Sequence, residues 1–385
     1  MFEPEFFVQP SIFMQRIGHL RLLVKIASQR PRQTFDQLAK NLTAKLSERV
    51  PKADIPHQNV DEWIEKRQQS DHYVNQPSNM AFLQDVLLSD PRLNSFTGSV
   101  TDKVAIQIVR WAVQVHLLRT DSGTLTSLGE VVAELDHISL TTSALFQTNP
   151  FILEAPSSRL LWGIPVMSAD LLALSPVLAK YPVGRPFDRS EAGDLVADVV
   201  AAYLESEKSK PSYQQAHLKL VSTLEGLSSA LENQRGTGSR GVREHVVAVR
   251  LEPTVDLGFL TKPDPYRWRY LMSQRVEPSI DDWPATDQVL GSAASELTPI
   301  ANRSDLWDLL YQGFQRVKSP VGFAGLEETL LAAAVLGADD GRILNWAESK
   351  NTLLEVQRAA PKSVKFNVDR YGAIRHVRIP RDLPA

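Results

Sequence analysis

Apolar positions recur at helical spacing through most of the chain, and short alternating runs interrupt them at three places. Ile17, Leu20, Leu22, Leu23, Val24 and Ile26 mark one helix, and Phe35, Leu38, Leu42 and Leu46 a second, with Pro31 between them. From about Lys103, the residues Val104, Ile108, Trp111, Val115 and Leu118 share one side of a third. That helix ends near His116-Leu117-Leu118-Arg119, and Thr120-Asp121-Ser122-Gly123 turns the chain. Thr124-Leu125-Thr126 is then a short strand, followed by Leu128-Gly129-Glu130 and a helix through Val131, Val132 and Leu135. An Asp-Ser-Gly turn between apolar flanks is a hairpin signal.

Residues 150–190 are apolar but carry Pro150, Pro156, Pro165, Pro176, Pro182 and Pro186, which predicts only short helices there. Helices resume at Glu191–Glu205 and His217–Asn233, and the Pro- and Gly-containing stretch 277–300 marks a boundary. Near the C-terminus the pattern predicts helices over Leu326–Leu336, Gly341–Ser349 and Thr352–Ala359, the last stopped by Pro361. Val364, Phe366 and Val368 alternate with polar residues, as do Val377 and Ile379. With the turn at Asp369-Arg370-Tyr371-Gly372, they predict a hairpin that buries one face.

The fold class is mainly α, with multiple helical modules and small β-wings. The expected organisation is an N-terminal helical region (1–100), a module at 101–150, a Pro-interrupted helical linker (151–215), a central module (216–276), connecting helices (277–320) and a C-terminal module with its hairpin (321–385). A length of 385 residues suits several domains, because single cores stop growing well below it.

Val255-Asp256-Leu257-Gly258-Phe259-Leu260 carries the strongest local signal. A helix tail runs into Gly258, which suits the left-handed residue that ends a helix. An apolar pair, a polar tip at Thr261-Lys262-Pro263-Asp264-Pro265 and an alternating strand at Tyr266-Arg267-Trp268-Arg269-Tyr270-Leu271 follow. This order resembles the last helix and wing of a winged-helix module, a variant of the helix-turn-helix. The stretch from Leu117-Leu118 to Leu128-Gly129 is similar, with His116 where a glycine is common, and the C-terminal helices and hairpin repeat the plan. The resemblance spans roughly 150 residues and implies either DNA binding or protein assembly.

Composition narrows the choice. The apolar fraction of 43% and charged fraction of 23% are those of an ordinary soluble globular protein. The net charge of −3 excludes a global basic field, so any nucleic-acid contact must be local. There are no cysteines, which removes disulfides, thiolate metal sites and a cysteine nucleophile. Without a basic leader or a long apolar run, the expectation is a cytoplasmic protein with no membrane partner. Residues 11–50 hold eight Lys/Arg against two Asp/Glu, read here as a solvated helical face. Arg235–Arg275 carries a net +4, as does 361–385.

The winged-helix resemblance implies a helix in the major groove and basic wing residues on phosphates. Arg240, Arg243, Lys262, Arg267 and Arg269 are the first candidates for phosphate contact, and Lys365, Arg370, Arg375 and Arg378 the next. Pro253 keeps the central recognition helix short, and Glu252 and Asp256 on it would carry negative charge toward the groove.

Catalytic signatures are weak. Gly236-Thr237-Gly238-Ser239-Arg240-Gly241 matches GxGxxG but follows a helix pattern rather than a strand. Asp339-Asp340 with Glu348-Ser349-Lys350 echoes a nuclease core without its flanking strands. The histidines lack metal-ligand spacing, and the polar stretch 51–80 offers only scattered carboxylates. His116 and His245 read as core residues. The expectation is therefore a non-enzymatic, cofactor-free, DNA-associated protein, a regulator or a subunit of a prokaryotic DNA-handling complex with duplex DNA as partner. The alternatives are an assembly subunit that binds partner proteins or its own copies, and, third, a metal-dependent nuclease.

Overall fold

Helices begin and end in this protein where local chemistry permits, with one exception at prolines. The computed structural model describes residues 16–46, 102–138, 140, 153, 155–209, 215–233, 251–263, 269–273, 296–368 and 374–383. Within them the chain is mainly helical with small sheets. The N-terminal part contains α1 (Ile17–Gln29), α2 (Phe35–Leu46), α3 (Asp102–Gln114) and α4 (Ser127–Leu135). Ten of the thirteen residues of α1 are buried, so it serves as an axis on which α2, α3 and α4 pack. A single bridge joins Leu118 and Leu125 in the expected hairpin, and Thr126 caps α4 by accepting the Gly129 N–H at 3.0 Å.

The central part starts with α5 (Pro156–Leu178), a continuous helix of 23 residues that runs across Pro165 and Pro176. The expectation of short helices fails here for a packing reason. Pro156 opens the helix, where its missing N–H costs nothing. An interior proline costs about 3 kcal/mol, whereas burying each of Leu160, Leu161, Trp162, Ile164 and Val166 returns about 1.5–3 kcal/mol. The chain continues through β1 (Pro186–Asp188), α6 (Arg189–Lys208), α7 (Gln215–Glu232), helical turns at 251–256, β2 (Leu260–Thr261) and β3 (Arg269–Met272).

The C-terminal part comprises β4 (Thr298–Pro299), α8 (Arg303–Val317), β5 (Ala324–Gly325), α9 (Leu326–Asp339), β6 (Arg342–Ile343), α10 (Trp346–Ala359), β7 (Lys365–Val368) and β8 (Ile374–Arg378). The helix expected over Gly341–Ser349 begins only at Trp346. Arg342 and Ile343 instead pair in parallel with β4. Asn345 then starts α10 by accepting the Glu348 N–H at 2.7 Å, and the two expected helices are one.

The central and C-terminal sheets share a strand order. In each, a strand after a leading helix (β1 after α5, β5 after α8) pairs antiparallel with the last strand of a closing hairpin, giving β1-β3-β2 and β5-β8-β7. The parts form one body through α9, ten of whose fourteen residues are buried, packed against α8, α5 and α4. The α8–α9 crossing depends on Gly313, because a Cβ there would lie 2.6 Å from the Thr329 carbonyl oxygen. No helix among the described residues is long and apolar enough to cross a membrane.

Candidate nucleic-acid interface

Glycine-like punctuation before the hairpins occurs twice. Gly258 has φ 79°, and the Phe259 N–H donates back to the Thr254 carbonyl at 3.0 Å, so the helix ends in a left-handed turn that feeds Phe259 and Leu260 into the core. His116 holds the corresponding position after α3 with φ 59°, and the Leu117 N–H donates to the Ala112 carbonyl at 2.9 Å. His116 is exposed, not the core histidine the sequence suggested: its role is conformational.

The first basic segment is divided: Arg30, Arg32 and Lys40 are exposed as expected, but the bases at the start of α1 turn inward. Arg16, His19 and Arg21 on or beside α1 are buried. Arg21 grips Asp136 at 2.9 and 2.8 Å, and Trp162 Nε1 donates to the same carboxylate at 2.8 Å. Burial alone would raise the Asp136 pKa. The hydrogen-bonded Arg21 charge, with help from Trp162, overrides it and holds the carboxyl below its usual range. Lys25 Nζ donates to the carbonyls of Ala133 and Asp136 at the C-terminal end of α4, where a cation is favoured. Burial, and secondarily the Arg16 charge, push His19 down to about 3, so it is neutral.

The central acids also point inward, so they bring no charge to a groove. Asp256 accepts from Arg16 Nε at 2.7 Å and from the Ile17 N–H at 2.9 Å, capping α1. Glu252 is fully buried and accepts from the Tyr270 hydroxyl at 2.8 Å and from Lys262 Nζ at 3.2 Å. Leu251, Pro253 and Thr254 are buried too, so the turns at 251–256 are a packing element between parts of the molecule.

The candidate phosphate contacts divide accordingly. Arg240, Arg243, Arg267 and Arg370 lie outside the described residues, as do His245, the GxGxxG stretch and residues 51–80. Lys262 is described, and its side chain is only 6% exposed because Glu252 holds it. Arg269 is exposed on β3, directly across the ladder from Asp188. Lys365, Arg375 and Arg378 are exposed on the C-terminal hairpin.

That hairpin has two distinct faces. Phe366 pairs with Val377, which is fully buried, and Val377 pairs in turn with Ala324 of β5. Lys365 pairs with Arg378, and Asn367 with His376; all four are exposed and share the opposite face by strand alternation. A register shift after Asn367 leaves Val368 half-exposed, against the expected alternation. Lys362 and Arg381 flank the strands and are exposed. Among the described residues, no acid forms an ion pair with Lys365 or Arg378.

The nuclease-like residues are not gathered into a site. Asp340 binds Arg342 at 3.0 Å, and Glu348 lies in the first turn of α10. Burial lowers the Lys350 pKa, while Glu327 works the other way. Among the described residues no group of His, Asp and Glu could hold a metal. The chain matches no known protein family, no curated protein and no solved structure.

Proposed function

We propose that this is a non-enzymatic DNA-associated protein whose helix–hairpin units are winged-helix-like and whose C-terminal wing contacts duplex phosphates. The observation that carries the reading is the cross-strand pairing of Lys365 with Arg378 on an exposed face. Like charges directly opposite on a sheet repel and destabilise it. A polyanion lying across them removes that cost and adds charge-assisted hydrogen bonds. The shared strand order, with a helix–strand–helix lead-in, supports the winged-helix description. A role as regulator or as subunit of a DNA-handling complex fits the same surface.

Fluorescence anisotropy of a labelled duplex with the full chain at low salt tests the reading. Binding that weakens as salt rises is expected, since each neutralised phosphate releases counterions. Absence of duplex binding at low salt overturns it.

A further inference from the structure

The helix that precedes the C-terminal hairpin is poorly suited to reading bases. In a helix-turn-helix the N-terminal residues of the recognition helix meet base edges. In α10 those exposed residues are Ala347, Glu348 and Asn351, so a carboxylate leads. Its other exposed charges are Glu355 and Arg358, and Glu355 is paired with Arg303 of α8 at 3.3 Å. The exposed face of the helix therefore offers phosphates no net attraction. In the central counterpart residues 251–254 are buried, and Asp256 is committed to Arg16 and the start of α1.

The adjoining hairpin is the opposite in charge. Lys365 and Arg378 lie side by side, with His376 and Asn367 next along the same face and Lys362 and Arg381 at its ends. β5 extends the hairpin along the β8 edge and α9 packs against β8, while Lys365, Asn367, His376 and Arg378 on the outer face are exposed. Phosphate contacts fix position and carry no sequence information, whereas base contacts specify.

Resting on the DNA-binding reading above, we infer that the ligand is duplex DNA of any sequence, held by the β7–β8 wing through its phosphates while α10 stays off the base edges. Affinity then depends on salt and on the wing charges, and is indifferent to base order.

Anisotropy with three labelled duplexes of about 30 base pairs and unrelated sequence, plus the matching single strand, tests this on the full chain. The three duplexes should bind within about threefold of each other, because a single lost base contact already changes affinity by about tenfold. Lys365→Gln with Arg378→Gln should weaken all three equally and reduce the slope of log K against log salt by about 2. Asn351→Ala and Glu348→Gln should leave affinity within about twofold, since neither group touches the duplex in a wing-only complex. Circular dichroism of each variant controls for folding. Preference for one duplex by about tenfold or more, or loss of binding in Asn351→Ala with an unchanged salt slope, overturns the inference while leaving DNA binding intact. Tighter binding of the single strand also overturns it. Absence of any duplex binding overturns both readings.

Discussion

The central and C-terminal hairpins share a strand order, yet their described bases meet different partners. In the central unit Lys262 is folded under the hairpin onto Glu252, and Arg269 faces Asp188. In the C-terminal unit Lys365 faces Arg378 in the open. α1 behaves like the central unit, with Arg16 and Arg21 each committed to a buried carboxylate. A local excess of Lys and Arg thus says nothing of exposure until the acids that meet them are placed. The two kinds of basic segment should respond to substitution in opposite ways.

The largest difference is expected from neutralising one base in each hairpin. Lys262→Met removes a cationic partner of the fully buried Glu252, and breaking a buried pair by removing one partner costs about 3–5 kcal/mol. Arg378→Met removes an exposed charge opposite Lys365 and should not destabilise the fold. Urea unfolding of both variants checks this. Equal losses would mean that Lys262 is not the internal partner of Glu252, and the contrast would collapse.

A pH experiment probes the inward-facing class at α1. His19 is buried and neutral, with its pKa pushed from 6.5 to about 3 by burial and by Arg16. Below pH 6.5 the unfolded chain takes up a proton that the folded chain refuses until about pH 3. Stability therefore falls as pH drops through that window, by up to about 1.4 kcal/mol per pH unit. Asp136 adds its own loss lower down, as pH falls through a folded pKa below its ordinary 3.8. His19→Gln, which keeps a hydrogen-bonding side chain in the first turn of α1, should flatten the limb between pH 6.5 and 3 without changing stability at neutral pH. An unchanged limb would show that His19 is protonated in the folded state.

Elements governed by local chemistry were legible in the sequence. The Asp-Ser-Gly hairpin, the helix after Thr126, the Gly258 break and the C-terminal hairpin all follow from turn and capping residues. Features governed by distant partners were not. Nothing local shows that Arg21 meets Asp136, 115 positions away, or that Arg16 meets Asp256 across 240. The continuity of α5 across Pro165 depends on burial among other helices, which no breaker rule contains. Among the candidate site residues, Lys365 and Arg378 could be found because alternation beside Phe366 and Val377 turns them outward, whereas Lys262 sits where only tertiary packing decides.

The left-handed residues before the first two hairpins permit a finer test. Gly258 and His116 share one conformation, but only glycine adopts it without a steric cost. Gly258→Ala should lose about 1–2 kcal/mol, and His116→Gly should gain about 1 kcal/mol, because a left-handed L-residue costs about that much. The exposed His116 imidazole contributes no packing to offset the gain. Thermal melts of the two variants should therefore shift in opposite directions. A melt lowered by His116→Gly would show that its side chain does more than occupy the turn.

The smallest expected effect bears most directly on function. Lys365→Gln relieves repulsion from Arg378 across the strand pair and should raise stability by about 0.2–1 kcal/mol in the free protein. Salt screens the same repulsion, so the gain should shrink as ionic strength rises. In the presence of saturating duplex the sign should reverse, because the variant forfeits a phosphate contact and ligand binding stabilises the folded state in proportion to its affinity. A residue that costs stability alone and repays it only when an anion is bound has the thermodynamic behaviour of a binding residue. If Lys365→Gln instead lowers stability in the free protein at low salt, the lysine supports the hairpin itself, and the Lys365–Arg378 pair no longer argues for a polyanion across it.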